Sequence, residues 1–327
     1  MSWFVRFLRD RLIQATVLVL VCLPAAGMTG EIGNSNDKVL AARALLDRYY
    51  GDPEILNQAE TLLDEVFKSG AVSAQGYVEA ARLTIMGGHL YRDRFQRDTI
   101  TVYQDLLNRA LAADPSNQKA LILKAEAYSF QRDYPQEGEY LGKARALGTT
   151  DPWLWVGFAR HSSNIGDYRA AIVYYSKVES QGPGTTATER KAYIASLMGL
   201  SGVLPEADRA ARLRELAKLA ARERDPADAW TLVNFADSFF RNGMFDDAIQ
   251  YARDALHTMD FGAAHLTLAA SLYCKAAKFT LEGNGGAAKQ AIVEAKSQGV
   301  DPSDILEEIS DSGDEPNRLL PIVKKLM

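Results

Sequence analysis

The feature that most constrains this chain is a recurrence with a period of about 34 residues. From Pro152 the apolar and small residues fall at Trp155, Phe158, Ala159, Gly166, Tyr168, Ala171, Tyr175, Val178 and Pro183. From Ala229 the same offsets carry Leu232, Phe235, Ala236, Phe239, Gly243, Phe245, Ala248 and Ala255. Tyr251 stands beside Ala252, where an aromatic residue is expected. From Gln118 they carry Leu121, Ala125, Tyr128, Tyr134, Leu141 and Ala144, with Lys124 at an apolar position. A repeat of this length is one supersecondary unit that cannot bury its apolar face alone, so neighbours must stack. The length of 327 residues exceeds a single compact core, which an array does not need.

These offsets resemble the tetratricopeptide repeat (TPR): large residues at repeat positions 4, 7, 11 and 24, small ones at 8 and 20, and a glycine turn between the helices. The resemblance implies an all-α, right-handed α-solenoid of about seven helical hairpins, spanning residues 40–300. Three repeats follow the register closely. Residues 40–73 read as one repeat. Residues 74–117 read as another, with extra residues near Gly87–Asp98. Residues 186–228 are helical, with a longer turn near Gly199–Pro205 and uncertain boundaries. Residues 263–300 form a last repeat with an extended loop at Gly283–Gly286. Asp-Pro at 151–152, 225–226 and 301–302 reads as a helix cap followed by a proline that needs no N–H partner. Residues 28–39 are polar and read as a flexible lead-in. Residues 301–327 read as a capping segment: a short helix, an acidic loop at Asp311–Glu315 and a final Leu319–Leu326 segment.

The first 27 residues read as an address. Arg6, Arg9 and Arg11 precede the apolar run Leu12–Leu23, and Pro24-Ala-Ala-Gly27 ends it. That is the organisation of a secretory signal peptide, with cleavage expected after Gly27. An uncleaved anchor is the other reading, but it needs about 20 apolar residues. Cys22 follows Val21 rather than a small residue, against lipidation. The expected location is periplasmic or secreted, with no stable membrane insertion after cleavage.

No catalytic, metal or cofactor set is found. The cysteines are Cys22 and Cys274, too few for a disulfide framework. The four histidines have no i, i+3 or i, i+4 partner among themselves. Gly283–Lys289 lacks the Gly-Lys-Ser/Thr ending of a phosphate loop. His161-Ser162-Ser163 are helix neighbours that point apart. With a net charge of −5 and no basic block, nothing marks a nucleic-acid footprint. The chain reads as a non-enzyme.

The TPR resemblance further implies a concave groove lined by positions 2, 5, 9, 12 and 13 of each first helix. Carried onto this sequence, these are Lys119, Ile122, Glu126, Ser129 and Phe130; Trp153, Val156, Arg160, Ser163 and Asn164; and Trp230, Val233, Asp237, Phe240 and Arg241. Aromatic and arginine side chains are common interface anchors. The resulting expectation is an exported adaptor with protein partners, in envelope assembly, secretion or exopolysaccharide machinery. The alternative is a carbohydrate- or peptidoglycan-binding module.

Overall fold

The computed structural model describes residues 29–70, 72–88, 95–96, 98–205 and 209–327. The expected signal peptide, residues 1–27, lies outside the described residues. Among those described there are sixteen helices and no extended strand: α1 (Thr29–Asp47), α2 (Pro53–Ser69), α3 (Ala74–Gly88), α4 (Thr99–Ala113), α5 (Gln118–Phe130), α6 (Tyr134–Ala146), α7 (Trp153–Asn164), α8 (Tyr168–Glu179), α9 (Ala187–Val203), α10 (Arg209–Glu223), α11 (Ala229–Arg241), α12 (Phe245–Thr258), α13 (Gly262–Leu281), α14 (Gly285–Ser297), α15 (Pro302–Ser310) and α16 (Asp314–Leu326). The chain divides into two compact units between Asp167 and Tyr168.

In the first unit, α1/α2, α3/α4 and α5/α6 are hairpins, and α7 packs on α5 and α6. Small residues make the close approach possible. Ala125 and Ala159, both at repeat position 8, are buried, as are Ala42, Ala59 and Ala80. Leu46, Leu63, Leu106 and Leu107 fill the space between hairpins, around a fully buried Tyr103. In the second unit, α9/α10, α11/α12 and α13/α14 are hairpins, and α8 packs on α9. Ala236 and Ala248 are fully buried at positions 8 and 20, and Phe235 and Phe239 fill the gaps. Tyr251 packs on Phe239 at 5.1 Å between ring centroids, taking the place of the absent aromatic at Ala252.

The repeat period is also written in polar contacts. Ser35 and Ser69 hydroxyls lie 3.3 Å apart, Arg160 donates to Glu126 at 2.9 Å, and Asn164 donates to Ser129 at 3.0 Å. Arg160 and Glu126, both at position 9 of neighbouring hairpins and 34 residues apart, thus face each other, and Asn164 reaches Ser129 across 35 residues, while Ser35 and Ser69 join the two helices of one hairpin. Arg82 to Asp47 and Arg209 to Asn242 also join neighbouring hairpins.

Several local expectations are corrected. Helix α1 begins at Thr29, inside the polar stretch read as a lead-in. Ser35, Val39, Ala42 and Leu46 are buried at helical spacing and lie along the α2 hairpin partner. That buried stripe outweighs the polar character of the remaining residues. Gly199 sits inside α9 rather than in a turn. A Cβ there would stand 2.2 Å from the Tyr175 ring, so glycine is what lets α8 and α9 approach. Asn284 caps α14, accepting from the Ala287 amide at 3.2 Å, so Gly285 and Gly286 are helical rather than loop. At 225–226 the Asp-Pro pair shapes a turn, and Asp228 is the cap of α11. Asp301-Pro302 does open a helix, with Asp301 accepting from the Ser303 amide at 2.7 Å. The acidic loop is shorter than expected, because Asp314 and Glu315 form the first turn of α16.

Lys124, at an apolar register position, is nearly inaccessible. Its ammonium lies 5.2 Å from the Tyr128 ring centroid. Burial holds its pKa below the usual lysine value, and nearby Asp105 works the other way. Repeat position 20 of the same hairpin should be small and is Glu137, also buried. His161 of α7 answers it, with Nδ1 3.1 Å from the carboxylate. The adjacent Gly138 leaves room, since a Cβ there would lie 3.2 Å from the imidazole.

Candidate interaction surface on the first helices of the repeats

The predicted groove residues separate into two sets. Position 5 is buried in all three repeats: Ile122 is 3% exposed, Val156 2% and Val233 4%. Phe240, at position 12, is fully buried, 6.0 Å from the Phe245 ring. Val156 and Phe240 are therefore not groove-lining residues. An aliphatic side chain at position 5 faces the flanking helix rather than open space, as the packing of α5 against α7 shows. The signal was present in the sequence. Ile, Val and Val at one register position are what a shared internal contact selects.

Positions 9 and 13 remain accessible. In the first unit they present Glu126, Phe130, Arg160 and Asn164. Glu126 is held from two sides, accepting from Arg160 at 2.9 Å and from the Tyr103 hydroxyl at 3.0 Å. Burial, then the Glu126 carboxylate, pushes the Tyr103 pKa well above the usual tyrosine value, so this hydroxyl stays a donor. Phe130 is 41% exposed and packs on Phe95 at 4.9 Å. Gln104 and Gln131 exchange amide hydrogen bonds at its edge. Tyr103, Phe95 and Gln104 lie outside the first-helix register, and sequence reasoning missed them for that reason.

Position 2 reaches toward the next linker. Lys119 pairs with Asp151 at 3.1 Å and lies over the Trp153 ring, 5.9 Å from its centroid. In the second unit, Trp230 packs on Phe261 at 5.0 Å and stays 38% exposed. Asp237 and Arg241 pair within α11 at 2.7 Å. Arg241 is not open to a partner on all sides, because its Nη1 also approaches the Asp311 carbonyl at 3.5 Å. Burial works against its charge, and Asp237, Glu308 and Asp311 more than offset that.

The surface holds no nucleophile–base pair. In the first unit Arg160 with Glu126 and Asn164 with Ser129 pair between neighbouring repeats, and in the second Asp237 and Arg241 pair within α11, leaving aromatic faces and a rim of mixed charge on each. Such a surface suits noncovalent recognition. Among the described residues no group of three or more His, Cys, Asp or Glu could hold a metal ion, and no helix is long and apolar enough to cross a membrane.

The fold and its register define a TPR-type α-solenoid. A monomeric IFIT1 mutant with Gppp-AAAA is similar over 97% of this chain and 74% of its own, at 13% identity and a TM-score of 0.53. The APC/C hetero-tetramer Cut9-Hcn1 is similar over 97% of this chain, at 13% identity and a TM-score of 0.52. This chain spans 59% of the length of that neighbour. A tetratricopeptide repeat protein from Parabacteroides merdae is similar over 89% of this chain and 99% of its own, at 11% identity and a TM-score of 0.45. No family model and no curated protein matches the sequence.

Proposed function

We propose that this chain is an exported scaffold that holds protein partners on the first-helix faces of its repeats. The observation that carries the reading is the row of accessible side chains at equivalent repeat positions. Glu126, Phe130, Arg160 and Asn164 project from a packed floor in the first unit, and Trp230, Asp237 and Arg241 in the second. Aromatic and arginine anchors over a rigid floor are the composition of interface hot spots. One fold neighbour is described with Gppp-AAAA. This chain has a net charge of −5 and no basic block, which supports a protein rather than a nucleic-acid ligand.

Export rests on the N-terminal segment, with maturation after Gly27 and action in the periplasm or outside the cell. Within that setting the scaffold serves envelope assembly, secretion or exopolysaccharide machinery. The test is in-cell cross-linking of the tagged full-length chain, followed by mass spectrometry. It is compared with a chain carrying Trp153→Ala, Arg160→Ala and Trp230→Ala. A small set of envelope proteins lost from the triple variant supports the reading. An unchanged set moves the binding surface elsewhere. Retention on purified polysaccharide without any protein partner replaces the scaffold with a glycan-binding module.

A further inference from the structure

Helix α13 is unlike the other first helices. It runs for 20 residues, and Leu266 through Cys274 are buried without interruption. A first helix flanked by its neighbours keeps one face free, so continuous burial means that face is covered. Helices α11, α12 and α14 take three sides, and the C-terminal hairpin α15/α16 takes the remaining one. Helix α16 also packs on α11. In the second unit, the hairpin thus lies on the face where the register places a ligand.

The contact has the chemistry of a helix in a groove. Pro316, Leu319 and Val323 are buried on one face of α16, while Asn317, Arg318, Lys324 and Lys325 stay exposed. Its acidic start meets a basic rim. Lys278 pairs with Glu315 at 3.1 Å, and Arg241 approaches the Asp311 carbonyl. Two glycines shape the seat. A Cβ on Gly313 would lie 2.3 Å from the Arg241 carbonyl oxygen, and one on Gly243 would lie 2.6 Å from Glu315 Cγ. At Gly313 backbone meets backbone, which a side chain would prevent, and at Gly243 the Glu315 side chain fills the space a Cβ would take.

We propose that the α11–α13 face is a docking seat for an amphipathic helix of a protein partner with an acidic first turn, and that the chain's own C-terminal hairpin occupies it until such a helix displaces it. This deepens the scaffold reading and rests on it. The short connection Gly299–Asp301 keeps the hairpin at high local concentration, so an incoming helix binds only to the fraction of chains whose seat is open.

The test uses the full chain. Hydrogen exchange should show α15 and α16 opening at least about ten-fold more readily than α11–α13, as a detachable unit requires. A labelled peptide of residues 311–327 is then titrated into the unaltered chain and into a Gly313→Ala chain. The loosened chain should bind it about ten-fold more tightly, because more of its seats are open. A peptide carrying Glu315→Lys should bind neither.

Exchange of α15 and α16 in step with α13 would overturn the proposal. So would a Gly313→Ala chain that ignores the peptide while α11–α14 stay protected. A Gly313→Ala chain in which α11–α14 lose protection together with the hairpin makes the hairpin an integral cap, which also overturns it. The peptide titration involves no cellular partner. Peptide binding with no cross-linked protein would reject the scaffold and leave the seat. Partners captured through Arg160 with no peptide binding would do the reverse.

Discussion

Phe240 and Asn164 show how a register position divides into floor and rim. Both were expected to line a groove; one is fully buried and the other is exposed. Phe240→Ala is expected to cost about 3–5 kcal/mol, the range for emptying a buried aromatic site. Asn164→Ala should stay within about 0.5 kcal/mol, as surface changes do. Urea denaturation of the two variants measures both, and equal costs would contradict the division. Gly199→Ala sets two effects against each other. Alanine is the better helix former by about 1 kcal/mol. The added Cβ meets the Tyr175 ring at 2.2 Å, and overpacking of this kind typically costs about 1–3 kcal/mol. A net loss of stability is expected, read as a lower melting temperature. Stabilisation would mean that α8 and α9 move apart freely.

At the scale of elements, the C-terminal hairpin depends on a charged contact whose pH response can be worked out. Burial by itself would raise the Glu315 pKa; Lys278 and Arg318 outweigh it and hold the carboxyl below the ordinary value. A depressed folded value stabilises fully above the unfolded pKa of about 4.3 and is lost as pH falls through the folded one. Exchange protection of α16 is therefore expected to be flat from neutral pH down to the unfolded pKa and to decline below it, relative to α12. Lys278→Ala should weaken that decline, with Arg318 left as the remaining partner. Cys274 reports on the same helix. Burial pushes its thiol up to about 12. Labelling by a thiol reagent near neutral pH should then proceed only through opening of α13, at a rate that rises with denaturant. Fast labelling of the native chain would show that α13 is less covered than its burial indicates.

For the whole molecule, the repeat architecture governs where damage is local. Contacts in such arrays run between neighbours, so stability is shared by adjacent hairpins rather than by one core. Destabilising Leu121 or Leu154 in the first unit should therefore leave α11–α13 protected in hydrogen exchange, while Phe235→Ala should not. The proposed export is also tested at this scale. Amino-terminal sequencing of the protein recovered from the envelope or medium should begin at Met28. Recovery of the intact start in the membrane fraction would replace cleavage with an anchor.

Much of this was legible along the chain. The recurrence of Ala125, Ala159 and Ala236, each at position 8, specified stacked hairpins, because close helix approach demands a small residue at a fixed spacing. Helix caps at Asp301 and Asn284 could be read or misread only locally. The substitutions that break the register became clear in three dimensions. Glu137 stands where a small residue belongs because His161, from the next hairpin, meets it. Gly199 is a contact with Tyr175 rather than a turn. A one-dimensional register states which residues share a helix face, and so it named candidate positions on the first helices. It does not state what lies opposite that face. Tertiary packing alone decided that Phe240 is floor, that Tyr103 reaches Glu126, and that α16 covers α13, because each depends on which distant segment fills the facing space.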